Sequence, residues 1–403
     1  MSTVTKDSQR LALDNRLGRQ GMAAEEVLRA LRGVVPNPAF LHEPEFAGRE
    51  RAYILDCIDT GWVSSVGAYV DRFERDLAAF TGSPFAVATT NGTAALHLCL
   101  HLLGVRAGDE VIIPALTFVA TANAVAYTGA TCHFADIDAT TLGIDAGQLE
   151  HALREVARVE RGVCFNRQTG RPIRALVCVH TFGHPADLDA LKAVCAPWGI
   201  ALVEDAAESL GSYYKGKHTG TLAPLAALSF NGNKIITTGG GGAILTQDAE
   251  LARRAKHLST TAKVPHRWEY VHDEIGFNYR LPNINAALGC AQLEQIERFL
   301  ADKRNLATRY ASAFAHVHGV RLFTEANFAR SNYWLNALLL EDAADLPPLL
   351  EACAAAGYGA RPAWRLLHRL AMYKECPRMD LRTAEDVAAR LINLPSSAVL
   401  GRK

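Results

Sequence analysis

The sequence predicts an α/β fold: a large domain on a mainly parallel sheet, then a smaller α+β domain at the C-terminus. Three observations carry this expectation. Between about residues 67 and 290, short apolar runs alternate with helical stretches, the pattern of strands joined by helical crossovers. Residues 283–299 then place apolar side chains at helical spacing and read as one long helix leading out of that region. A chain of 403 residues is also long for a single domain and can bury a substantial core.

In chain order, residues 1–35 read as a polar lead-in with one helical stretch, roughly 22–32, ending at Val-Val-Pro. The large domain is expected over 36–290. Its strands are placed at 86–89, 110–113, 131–134, 175–179, 200–203, 225–230 and 243–245, each a short run rich in apolar residues. A helix over 94–103 follows the first strand. The small domain is expected over 291–403, with a strand at 337–340 and helices at 347–356 and 384–391. No internal repeat or low-complexity tract is present.

Lys234 is the most informative residue. It sits between the apolar runs 225–230 and 235–236, is followed by Thr-Thr and four glycines, Gly239–Gly242, and has no acidic residue within several positions. Desolvation favours the neutral amine of a lysine without a partner. A neutral amine can attack a carbonyl to form a Schiff base, and glycines let the backbone approach a bound ring or phosphate. A surface hairpin with a solvated lysine would also fit this segment alone.

Three further segments bear on the choice. Asp205 falls just past the strand 200–203, where open α/β sheets place ligands; a carboxylate there could pair with a protonated pyridine nitrogen, or it could cap a helix. Asn91-Gly92-Thr93 forms the turn between a strand and an apolar helix, and a helix N-terminus offers free N–H groups to phosphate. Ser229, five residues before Lys234, could donate to the same phosphate. Together they supply a phosphate cradle, an acid for a ring nitrogen and a Schiff-base lysine.

The runs T-N-G-T-A-A-L, E-D-A-A-E-S-L-G, L-S-F-N-G-N-K-I-I-T-T-G-G-G-G and G-F-N-Y-R-L-P-N-I-N-A-A-L-G-C-A-Q-L resemble the signature blocks of the DegT/StrS-type nucleotide-sugar aminotransferases. These enzymes use pyridoxal 5′-phosphate (PLP) and have the aspartate-aminotransferase fold, fold type I. The runs P-A-L-T-F-V-A-T-A-N-A, V-H-T-F-G-H-P-A-D-L-D-A-L and T-A-K-V-P-H-R-W-E-Y-V-H-D-E-I-G resemble the branch that aminates C4 of UDP-4-keto-6-deoxy-N-acetylglucosamine in bacillosamine and legionaminic acid pathways. The resemblance spans roughly residues 36–400.

By that resemblance Lys234 is the lysine that bonds the cofactor and shuttles a proton, and Asp205 is the acid on the pyridinium nitrogen. Thr93, with the Gly92–Ala94 backbone, and Ser229 bind the phosphate. Phe118 stacks on the ring, and Glu208 lies near it. Asn278 reaches the partner's phosphate in a homodimer with shared sites. His180, Arg280 and Arg361 are candidate substrate contacts, and Ser64-Ser65 lie near the cofactor in relatives. Glutamate is the implied amino donor and a nucleotide-linked 4-keto sugar the acceptor. Three departures stand out. Gly240 replaces a glutamate, Glu208 a histidine, and Leu366 a proline in G-Y-G-A-R-P-A-W-R-L-L-H, which bears on Arg361 and His368. Relatives that are dehydratases carry histidine in place of the lysine, so Lys234 argues against that activity. A perosamine-type or 3-keto sugar aminotransferase and a non-catalytic PLP-binding protein remain as alternatives.

Composition agrees. Lys+Arg and Asp+Glu both number 42, which excludes a general nucleic-acid or anionic-membrane binder. No segment approaches the ~18 consecutive apolar residues of a membrane span, and the first residues lack the apolar core of a signal peptide. Nine scattered cysteines without a C-x-x-C pair suit reduced thiols in the cytoplasm. The pairs His97/His101 and His180/His184 have metal-like spacing but no evident third ligand, so no metal site is expected.

Overall fold

A computed structural model describes residues 24–402 of the chain. The first two residues of the expected helix 22–32 lie outside that range; residues 24–34 are helical.

A seven-stranded sheet forms the large domain. Its spatial order is Phe85–Thr89, Gly242–Thr246, Leu225–Ser229, Ala201–Asp205, Ile173–Val179, Glu110–Pro114 and Thr131–Ala135. Only Gly242–Thr246 runs against its neighbours; the other ladders within the sheet are parallel. All seven expected strands are present, with ends shifted by one or two residues. Strands such as Glu110–Pro114 and Gly242–Thr246 are buried along their whole length, as a sheet covered on both faces requires. The buried Glu110 is tolerated because His133, Asn166 and Thr169 all bond its carboxylate.

The C-terminal region holds a four-stranded antiparallel sheet in the order Val320–Leu322, Asn336–Leu340, Leu391–Leu394 and Arg361–Pro362. Helices Leu346–Ala355 and Arg382–Arg390 accompany it, close to the expected positions. Val27, Leu28, Leu31 and Val34 pack in one cluster with Leu306, Tyr310, Leu338 and Ile392. The described part of the lead-in is thus buried against the C-terminal sheet, where a polar approach segment was expected.

Two expectations are corrected. The single helix over 283–299 is two, Asn283–Leu293 and Ile296–Phe314. Gln295, at φ −110° and ψ 0°, breaks the spiral, and its Nε2 donates to Glu50 Oε1 and Ala291 O. No proline or glycine marks this break, so periodicity alone runs through it. The strand expected over 225–230 ends at Ser229, and Lys234 lies five residues beyond it in a turn.

Candidate active site

Strand register assembles the site. Gly242 pairs with both Thr89 and Ser229, Ala227 with Asp205, and Asp205 with Val179. The four strands carrying Thr89, Ser229, Asp205 and Val179 point the same way, so the chain leaves them at one edge of the sheet. That is the carboxyl edge, where open α/β sheets bind ligands. A cavity of about 280 Å³ opens there, lined by Gly92, Thr93, Phe118, Asp205, Glu208, Ser229 and Lys234 among others.

At the first turn Asn91 caps helix Gly92–Leu102, its Oδ1 accepting the Ala94 N–H at 2.8 Å. The earliest N–H groups of a helix have no intrahelical acceptor, and here they open toward the cavity. Backbone crowding explains two glycines. A Cβ on Gly92 would stand 2.9 Å from Ser229 Cβ, and one on Gly242 would stand 2.5 Å from the Asn91 carbonyl carbon. Only glycine lets the turn press against the two strand ends.

Lys234 Nζ has company that the local sequence does not show. Glu208 Oε1 is 3.2 Å away, with both side chains largely buried. This corrects the expectation of a lysine without an acidic partner: the partner is 26 residues away along the chain. Nζ also lies over the Trp334 ring, 3.7 Å from its centroid. Asp205 Oδ2 accepts from the Thr121 hydroxyl at 2.8 Å and Oδ1 from the Ala207 N–H at 3.2 Å. No helix follows Asp205, so it is no helix cap. Burial pushes its carboxyl above the usual range, against the opposing pull of Thr121, Ala207 and Lys234. Glu208 is raised for the same reason, and by Asp205 as well, although Lys234 and the Phe182 N–H oppose the rise.

Other expected residues sit elsewhere. His180 is fully buried; its Nε2 meets Glu204 Oε2 at 3.1 Å and its Nδ1 accepts the Ala186 N–H at 3.2 Å. Both ring nitrogens are engaged, so a substrate contact by His180 is not what the geometry offers. Arg361 is exposed and its Nη1 donates to the neighbouring Ala360 carbonyl. Asn278 and Arg280 lie outside the cavity lining, paired by single bridges with Thr260 and Thr89. Ser64 and Ser65 are likewise outside it. Ala94 is buried behind Gly92 and Thr93. Gly240 does line the cavity, and a Cβ there would meet nothing within 4 Å. Leu366 keeps φ −55° and ψ 134°, a backbone that suits proline, so the loop shape survives the substitution. His368 pairs with Glu385 at 3.2 Å.

His97 packs against Phe277 and bonds Tyr279 through Nδ1. All nine cysteines are free, eight of them buried. Among the described residues no helix is long and apolar enough to cross a membrane.

The arrangement has known counterparts. The DegT/DnrJ/EryC1/StrS aminotransferase family matches residues 44–403. The chain belongs to this family. It is 36% identical over 356 residues to a GDP-perosamine synthase of Escherichia coli O157:H7, covering 88% of this chain and 92% of that one. It is 38% identical over 363 residues to a putative pyridoxal phosphate-dependent aminotransferase, EpsN, of Bacillus subtilis, covering 89% and 91%. Among solved structures, the aminotransferase TlmJ of Streptoalloteichus hindustanus superposes with a TM-score of 0.80 at 28% identity, covering 89% of this chain and 94% of that one.

The protein is therefore a PLP-dependent aminotransferase of fold type I. Its cavity fits the cofactor: an amine at Lys234, a glycine turn at a helix N-terminus with Ser229 beside it, and a buried acid at Asp205. When bound, PLP supplies a carbonyl that takes up the amino group and a pyridine ring that accepts electrons. Gly92, Thr93 and Ser229 would hold its phosphate, Asp205 its ring nitrogen and Phe118 its ring face. Thr121, Trp334 and Trp364 also line the site. Trp364 lies within the R-P-A-W run and Thr121 within the P-A-L-T-F-V-A-T-A-N-A run read for their family likeness, whereas Trp334 lies in no such run.

Proposed function

We propose that the protein moves an amino group from glutamate to the C4 ketone of a nucleotide-linked 4-keto-6-deoxy sugar, in the manner of the perosamine-type enzymes. The observation that carries the reading is Lys234 Nζ in a cavity shared with Asp205, Glu208, Thr93 and Ser229. Lys234 is placed to bond the cofactor and, when released, to carry a proton between the donor carbon and the cofactor. Asp205 holds a positive ring nitrogen in place. One cavity serves donor and acceptor in turn, so ping-pong kinetics follow.

The GDP-linked acceptor is favoured by relatives at 36% and 37% identity named GDP-perosamine synthases. UDP-4-keto-6-deoxy-N-acetylglucosamine, the acceptor the motifs suggest, is the second reading. It draws on Gly240, which brings no side chain of its own and leaves open space at that place in the cavity lining. The assay is a panel of 4-keto and 3-keto sugars on UDP, GDP and dTDP with glutamate as donor. The GDP-linked 4-keto sugar is expected to give a kcat/KM at least about tenfold above the others, ~1.4 kcal/mol. A UDP preference of that size moves the protein to the second reading. Failure to form 2-oxoglutarate from glutamate removes the catalytic reading and leaves a PLP-binding protein.

The active unit in this proposal is a homodimer, working in the cytoplasm. Trp62, Trp268, Tyr270 and Ile275 leave 57%, 69%, 81% and 85% of their surface uncovered in the single chain, apolar surface that a partner chain would cover in this proposal. Asn278 and Arg280 stand outside their own cavity, as residues serving a neighbour's phosphate or diphosphate would. Mixing inactive Lys234→Ala with inactive Asn278→Ala chains is expected to restore part of the activity. A fully active monomer in sedimentation contradicts the shared site.

A further inference from the structure

Part of the cavity wall is a chain of aromatic rings. Phe182, fully buried, packs against Trp364 with ring centroids 4.8 Å apart and against Trp334 at 6.5 Å. Trp364 in turn meets Phe118 at 6.2 Å. Phe118, Trp334 and Trp364 line the cavity. Two of the three already have a neighbour in the account above. Phe118 is placed for the cofactor ring, and the Trp334 ring lies beneath Lys234 Nζ. Trp364 is half-buried, and neither the cofactor nor the lysine uses it.

The loop that carries Trp364 is fixed on both sides. The Ala363 N–H donates at 3.2 Å to the Leu391 carbonyl, in the C-terminal sheet. The Leu367 N–H donates at 3.0 Å to the Ala115 carbonyl, just past strand Glu110–Pro114 of the large sheet. Leu366 between them keeps its extended backbone. The ring is therefore presented by backbone tied to both sheets, as a preorganised contact requires.

The two substrates of the proposed reaction differ in what this ring offers them. Glutamate is a short dicarboxylate, and an aromatic face carries partial negative charge that gives a carboxylate no attraction. A 6-deoxyhexose presents a face of C–H bonds and a methyl group, apolar surface that an aromatic wall covers. We propose that Trp364 is the contact for the acceptor sugar: its ring covers the C–H face of the 4-keto-6-deoxy hexose in the second half-reaction and takes no part in the first. The proposal rests on the reading of the protein as a sugar aminotransferase and deepens it, and it is the same for a GDP- or a UDP-linked acceptor.

Ping-pong turnover lets the halves be measured apart on the full-length holoenzyme. Glutamate is mixed with the PLP-loaded protein, and the panel sugar that wild type uses best is mixed with the aminated form, each followed by cofactor absorbance in a single turnover. Trp364→Ala is expected to lower the second-order rate constant of the sugar half about thirtyfold, in the range by which an apolar contact changes kcat/KM. The glutamate half is expected to stay within about twofold of wild type. Trp364→Phe, which keeps a ring, is expected to recover most of the loss, and Trp364→Leu makes the same comparison should the alanine variant fail to fold. An equal loss in both halves overturns the proposal, because Trp364 would then serve the cofactor or the fold. A sugar half as fast as wild type overturns it too. Wild-type protein that takes the amino group from glutamate but passes it to no sugar of the panel removes the sugar-aminotransferase reading and this proposal with it, an outcome seen before any variant is made.

Discussion

Lys234→Ala is expected to lower kcat by at least about 10⁴-fold while the chain keeps its fold, since both nucleophile and proton carrier are lost together. The reasoning is geometric. Among the described residues that line the cavity, Lys234 supplies the amine. No lining side chain could substitute for it as an amine nucleophile toward a carbonyl: Ser229 and Thr93 carry hydroxyls, and Asp205 and Glu208 carboxylates. Circular dichroism and the unfolding midpoint check the fold, and single-turnover kinetics with glutamate check the step. A variant that still forms 2-oxoglutarate at a rate near wild type removes Lys234 from the chemistry.

Asp205→Asn is expected to cost about hundredfold or more in kcat, ~2.7 kcal/mol, because a neutral amide no longer holds the ring nitrogen positive. The same residue should leave a mark on stability without cofactor. Burial raises its carboxyl above the usual value. A raised acid binds its proton more tightly in the folded chain than in the unfolded one. Its contribution is therefore present below the unfolded value, about 3.9, and is lost as pH rises through the higher folded value. The apoprotein of Asp205→Asn should lose less stability than wild type as pH rises from about 4 toward neutrality. Urea unfolding across that range measures it. An unchanged kcat takes Asp205 out of the cofactor chemistry, and an equal pH slope in the two proteins contradicts a carboxyl raised by burial.

The sequence was legible where the information is local. Apolar runs between turns placed the sheet strands because each strand is buried on both faces and tolerates little else. Asn91-Gly92-Thr93 was readable because a cap and a tight turn are neighbours in the chain, and their crowding against Ser229 and Asn91 demands glycine at 92 and 242. What the sequence hid depends on residues distant in the chain. Glu208 meets Lys234 across 26 positions and Trp334 across 100, and no spacing rule connects them. His180 was a candidate substrate contact by its place in the family resemblance. The structure spends both its nitrogens on Glu204 and Ala186. The break at Gln295 was invisible because side-chain bonds to Glu50 and Ala291 make it, and no helix-breaking residue is present. Helix periodicity likewise could not reveal that residues 24–34 cover the C-terminal sheet.

Borohydride reduction of the PLP-loaded protein, followed by peptide mass mapping, tests the central claim most directly. The account predicts that the cofactor mass is fixed on the peptide containing Lys234, and that Lys234→Ala retains none after denaturation. Cofactor fixed at another lysine, or none fixed on a protein that binds PLP, would contradict it.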